Sequence, residues 1–238
     1  MLDPAAVREK LHELEARDRK GRVHGAAYHG YQLNPPLPEA RVRAFEEKRR
    51  VSLPTDYRTF LTQLGNGGAG PAYGVLPLDL TDDEESYRDS ALVGDIAAPF
   101  QHDGPWNMTP SFWEQEPDWL VERPQEDEDR LMEGWGRQLE LHYWVPTIMG
   151  GAIPICHLGC ALREWLVITG DRKGEVWADH RADERGIWPL TGAEGQALTF
   201  ATWCTSWLDE ALSKAPPPVF VASRALAAAD DQAGRAIP

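Results

Sequence analysis

Cys156, His157 and Cys160, in the run ICHLGC, are of the types that ligate zinc or form nucleophilic pairs. A zinc site needs four ligands, usually with a second paired knuckle, and the third cysteine, Cys204, is distant in sequence. Neighbours on a strand point to opposite faces, so Cys156 and His157 do not readily meet. The trio reads as buried small cysteines beside a strand turn. A second candidate is LGNGGAGPAYGVLPL, residues 64–78. A phosphate loop runs strand, glycines, lysine, helix, so that backbone amides and a helix N-terminus meet the anion. Here the predicted order is helix, glycines, strand, and no lysine occurs between Lys48 and Lys173. The glycines therefore read as a helix stop followed by close backbone approach. Carboxylates are abundant, but Asp82, Asp83, Glu84, Glu85 and Glu126, Asp127, Glu128, Asp129 form runs. Catalytic pairs need fixed separation on rigid elements. ADHRADERG, residues 178–186, reads as a self-paired surface turn or a binding loop. No serine sits in a G-x-S-x-G elbow, and His24, His29, His102, His142, His157 and His180 form no H-x-x-x-H pair.

The elements that must position these residues follow from periodicity. A helix is expected over residues 3–20, capped by Asp3 with Pro4 at its first position and stopped at Gly21; Val7, Leu11 and Leu14 share its inward face. A Gly- and Pro-rich loop follows. A second helix is expected over 39–50, with Val42 and Phe45 inward. In LPTDYRTFLTQLG, Tyr57, Phe60, Leu61 and Leu64 mark a third helix, with Gly65 placed for a left-handed C-terminal residue. Tyr73 to Pro77 reads as a short strand. A helix or helix-to-strand transition is expected around 131–144. After residue 147 come short apolar runs in GAIPICHLG, REWLVITG and GEVWAD, with TGDRKGEVW as a hairpin turning at Gly170 and Gly174, and a further extended segment at GIWPL. A last helix is expected over 199–214, capped by Thr199, with Phe200, Trp203, Trp207, Leu208 and Ala211 inward. The tail to Pro238 is Ala-rich and weakly patterned, which predicts mobility.

The 238 residues are 42% hydrophobic, enough for a core, and carry a formal net charge of -14. The location of that charge is informative. Residues 1–78 hold 12 basic against 9 acidic side chains, residues 79–130 hold 3 against 16, and residues 131–238 hold 9 against 13. One segment thus carries nearly all the imbalance. Direct binding to a nucleic-acid backbone demands a basic face and is disfavoured, whereas a basic protein partner fits this field. The alternative is that the acidic runs merely keep the chain soluble. The segment also holds Trp106, Phe112, Trp113 and Trp119, which a disordered spacer rarely carries. A long, partly packed insertion with mobile acidic ends is expected. No apolar run reaches the roughly 18 residues of a membrane span. The charged N-terminus lacks a signal-peptide core. Three cysteines suit reduced thiols. A cytoplasmic protein is expected, with no cofactor.

LPTDYRTFLTQLGNGGAGPAYGVLPL resembles the signature of the Smi/Knr-like, or SUKH, superfamily. The matching positions include Tyr57, Gly65, Asn66, Gly67, Gly68, Tyr73, Gly74 and Pro77. WLVITGDRKGEVWADHRADERGIWPL is similar to a second family block, at Gly170, Gly174 and Trp177, and FATWCTSWLDEAL to its closing helix. The resemblance spans 39–214, leaving an N-terminal helix and loop at 1–38 and a flexible tail at 215–238. It implies an α+β fold, with a single mixed or antiparallel sheet flanked by helices, and here a long acidic insertion at 79–130 that compact members lack. The family has no known catalytic constellation. Many bacterial members are immunity proteins that neutralise toxins, often nucleases, and a yeast relative regulates cell-wall synthesis as an interaction hub. The matched glycines and aromatics read as fold determinants. The reading is a non-catalytic, cytoplasmic immunity-like protein, a monomer or weak homo-oligomer. It would bind a basic toxin domain through Asp82, Asp83, Glu84, Glu85, Glu126, Asp127, Glu128 and Asp129, with Trp113 and Trp119 as anchors and without contacting nucleic acid or membrane. The alternatives are a regulatory scaffold without a toxin, and an enzyme using the Cys156/His157/Cys160 region or the loop from Asp179 to Asp183.

Overall fold

A four-stranded antiparallel sheet of order β1-β2-β3-β4 organises the computed structural model, which describes residues 1–78 and 93–216. Most of the tail expected to be mobile lies outside the described residues. The strands are β1 (Ala152–Gly159), β2 (Leu162–Val167), β3 (Val176–Asp179) and β4 (Ile187–Pro189). Trp165 sits opposite Trp177 across β2 and β3, so the predicted hairpin turning at Gly170 and Gly174 is present. The fold is α+β.

Around the sheet lie α1 (Pro4–Arg17), α2 (Ala26–His29), α3 (Glu39–Arg49), α4 (Thr55–Thr59), α5 (Pro110–Trp113), α6 (Gln125–His142) and α7 (Phe200–Lys214). Asp3 caps α1 by accepting hydrogen bonds from the Ala5 and Ala6 amides. Asp18, rather than Gly21, ends it. Its carboxylate accepts from the Arg22 and Val23 amides and from the Tyr31 hydroxyl at 2.6 Å. Burial pushes this carboxyl up, but those hydrogen bonds outweigh it and hold Asp18 below the usual range. Thr199 and Thr202 form a reciprocal capping box on α7. Arg17 donates to the carbonyls of Leu212, Ala215 and Pro216, placing a cation on the C-terminal end of α7.

The third predicted helix differs at its end. Helix α4 passes into a π turn over Phe60–Leu64, and Gly65 is extended at φ -176, not left-handed. The wider turn closes on the Phe60 carbonyl, which accepts from the Gly65 amide at 2.9 Å. Glycine is still required in the loop that follows. A Cβ at Gly68 (φ +106) would meet the Gln32 carbonyl oxygen at 2.5 Å. The Gly68 amide donates to Val75 and the Val75 amide to Gly68, while the Asn66 side-chain oxygen accepts from the Leu78 amide. The glycine loop is thus fixed between residues 32–35 and the edge of β1. The expected strand from Tyr73 to Pro77 is reduced to single bridges at Val75, which pairs with Gly68 and Cys156.

Both faces of the sheet are covered. Ile153, Ile155, Leu166, Ile168 and Val176 join α1, α3, α4 and α7 in the larger core. Trp165, Val167, Trp177 and Ile187 point the other way and form a second core with Phe100, Met149 and Ala152. With both faces covered, β2 has no solvated face, and even Arg163 and Glu164 are buried.

Candidate functional site

The second core is closed by the segment from 93 to 151. Trp106 pairs its backbone with Ile187, extending the sheet beyond β4. Its ring stacks on Tyr143 at 5.8 Å between centroids. Trp113 meets Tyr143 edge-on at 5.1 Å and Trp135 at 6.1 Å, and Phe112 meets Trp135 at 5.2 Å. These aromatic contacts tie α5 and the C-terminal half of α6 to the sheet. Gln125 opens α6, so the helix begins before the expected 131–144 region and includes part of the acidic segment.

A buried ion pair fastens this layer. Arg181 donates to both carboxylate oxygens of Asp179, at 2.9 and 2.8 Å, and to the Tyr143 carbonyl at 3.0 Å. Its guanidinium lies 5.2 Å from the Trp144 ring centroid. The Tyr143 hydroxyl accepts from the Gly186 amide, and burial pushes that phenol up to about 12. The loop 178–186, read as a self-paired surface turn, is indeed self-paired at Asp179 and Arg181, but both side chains are buried. Arg181 thus joins the sheet to the segment from 93 to 151 through the Tyr143 carbonyl.

The predicted binding residues are distributed unevenly. Asp82, Asp83, Glu84 and Glu85 lie outside the described residues. Glu126, Asp127 and Glu128 lie in the first turn of α6, where carboxylates favour the helix dipole, and Asp129 follows them on the same helix. Trp113 is half-buried in the aromatic cluster, which ties up much of its ring. Trp119 is exposed, and its indole N–H donates to Glu116 at 2.8 Å. The structure does not bring Trp113 and Trp119 together as one anchor. Sequence reading missed Leu120, Val121, Leu131 and Met132, all exposed. The helical spacing of Leu131, Trp135 and Leu139 was the signal that could have found part of this set. The negative character is local: residues 114–133 hold nine acidic and two basic side chains. Arg130 pairs with Asp127 at 3.0 Å, and Arg123 donates to the backbone carbonyls of Asp118 and Val121.

The other chemistry candidates are structural in their surroundings. Cys156 is buried, and its thiol lies 3.2 Å from the Pro71 carbonyl. Burial pushes the Cys156 and Cys204 thiols well up, which opposes the thiolate a nucleophile or metal site requires. The His157 Nδ1 accepts from the Gly159 amide, and Cys160, expected to be buried, is exposed because it sits in the turn between β1 and β2. Among the described residues no group of three His, Cys, Asp or Glu is arranged to hold a metal ion. A cavity of about 410 Å³ opens between α7 and residues 18–24, lined by Asp18, Arg22, His24, Trp207, Glu210 and Lys214. Lys214 and Glu210 pair with each other across its rim. No described helix is long and apolar enough to cross a membrane.

A family model described as SMI1 / KNR4 family (SUKH-1) matches residues 36–203. No curated protein matches the chain, and no solved structure does.

Proposed function

The chain belongs to the SMI1/KNR4 family (SUKH-1), and we propose that it is a non-catalytic protein-binding domain whose acidic insertion receives a basic protein partner. The observation that carries this reading is the clustering of carboxylates on an ordered, outward element. Helix-dipole stabilisation accounts for acids in the first turn of α6, but not for Glu114, Glu116, Asp118 and Glu122 in the loop before it. Such a field steers a cationic partner and disfavours nucleic acid and anionic membranes.

The partner proposed is a toxin domain, with the chain as its immunity protein acting in the cytoplasm. A nuclease toxin is basic where it holds phosphates, so an acidic face can occupy that cleft in place of the nucleic-acid backbone. The chain would block access without doing chemistry itself.

The test is affinity capture from cells that carry the gene, with the wild-type chain and a Glu126→Lys, Asp127→Lys, Glu128→Lys, Asp129→Lys variant side by side. The wild type is expected to retain a basic protein that the variant loses. Retention by both chains alike, or capture of acidic proteins alone, overturns the reading.

A further inference from the structure

Among the described residues, six of the eight exposed large hydrophobic side chains fall between 119 and 141: Trp119, Leu120, Val121, Leu131, Met132 and Leu141. Leu120 is 95% exposed and Met132 56%. A loop and one helix thus hold most of the uncovered apolar surface among the described residues. The helix explains part of this. Leu131, Met132, Trp135 and Leu139 lie on one side of α6 at helical spacing. Trp135 is covered by Phe112 and Trp113, and Leu139 is half-buried. The N-terminal half of the same stripe is less well covered, with Leu131 37% and Met132 56% exposed, although α6 has an amphipathic pattern that calls for a partner there.

We propose that Leu131 and Met132 of α6, with Leu120 and Val121 of the preceding loop, are the docking surface for a cationic amphipathic segment of the protein partner. This rests on the reading of the chain as a binding domain and adds the surface and the chemistry of what it binds. Charge selects the occupant. Along the chain the four apolar residues are interspersed with Glu116, Asp118, Glu122, Glu126, Asp127, Glu128, Asp129 and Glu133, against Arg123 and Arg130. A second copy would bring the same acids against themselves across a two-fold axis. An anionic lipid surface meets the same repulsion. A segment with lysine or arginine flanking leucine-type side chains satisfies both features: apolar groups cover the stripe, and its cations meet the rim.

The test uses the full chain and two labelled 18-residue peptides of equal charge, one a leucine–lysine amphipathic helix and one with glycine in place of leucine. Binding is read by fluorescence anisotropy at physiological salt. The leucine peptide is expected to bind about tenfold or more tightly than its glycine counterpart, as burial of even one aliphatic side chain requires. Leu131→Gln with Met132→Gln removes that margin. Leu120→Gln with Val121→Gln, outside any helix, reduces it as well and guards against loss of α6, which circular dichroism follows. A margin that is absent, or that survives both variants, overturns the docking surface. If the two peptides bind equally and only Glu126→Lys with Asp129→Lys abolishes binding, the apolar surface falls and the acidic-partner reading stands. If neither peptide binds the wild type, both fall. A wild-type dimer that Leu131→Gln with Met132→Gln converts to monomer would assign the face to a second copy and also overturn the proposal.

Discussion

Glu164 is a buried carboxyl in the middle of β2, between the sheet and α7. The Trp203 indole N–H donates to it at 2.9 Å, and burial pushes it up to about 6. The folded chain therefore holds this proton to a higher pH than the unfolded chain does. Stability from this group is full below its usual value of 4.5 and is lost as pH rises through 6. Glu164→Gln keeps an acceptor for Trp203 and carries no charge to desolvate. It is expected to raise stability by roughly 2 kcal/mol at pH 7.5, with the gain vanishing below about pH 4.5. Urea unfolding at pH 4, 5.5 and 7.5 checks this, and a gain independent of pH would contradict it. Nothing in REWLV announces this burial. Polar residues on a strand ordinarily mark a solvated face, and here both faces are covered. The glycines are easier to read. Gly68 and Asn66 stand in a loop whose element order argues against a phosphate site, and the close backbone approach at Gly68 is of the kind the sequence predicts. Gly65 differs from expectation because a π turn, rather than an α C-cap, ends the helix; hydrophobic spacing over one or two turns does not separate the two.

Among the elements, the segment from 93 to 151 stands out as a second cover for the sheet. Its fastening is the Asp179–Arg181 pair and its bonds to Tyr143. Removing one member of a buried pair leaves the other charged and desolvated. Arg181→Ala is expected to cost roughly 3–5 kcal/mol, whereas Asp179→Leu with Arg181→Met recovers most of that loss. Equilibrium denaturation of the single and double variants measures it; a single-variant loss under about 1 kcal/mol would mean that the pair behaves as a surface ion pair. The strands, α1, α3 and α7 are legible in the sequence because caps, periodicity and turn glycines agree with one another. The second face is not. Trp165 and Trp177 read simply as core, and nothing local to β2 or β3 says which distant segment covers them. The start of α6 is hidden for another reason. QEDEDR looks like a solvated run, yet carboxylates at a helix N-terminus are also what the dipole favours.

For the whole molecule, charge is segregated. Residues 79–130 carry 16 acidic and 3 basic side chains, while the residues before them are slightly basic. Such a distribution acts mainly on encounter: a complementary partner associates faster, and screening by salt removes the advantage because the Debye length is only about 8 Å at physiological ionic strength. Composition alone reveals this field but not its support. Most of the described part of the field stands on α6 and the loop before it, beside exposed leucine, valine and methionine side chains that the charge count conceals. Whether the acidic face recruits the partner is decided by the association rate of the captured protein as a function of ionic strength. The wild-type rate is predicted to fall about tenfold or more between low and physiological salt, and the Glu126→Lys, Asp127→Lys, Glu128→Lys, Asp129→Lys variant to be slow throughout with a flat salt dependence. Equal rates for the two chains at every salt concentration would contradict it.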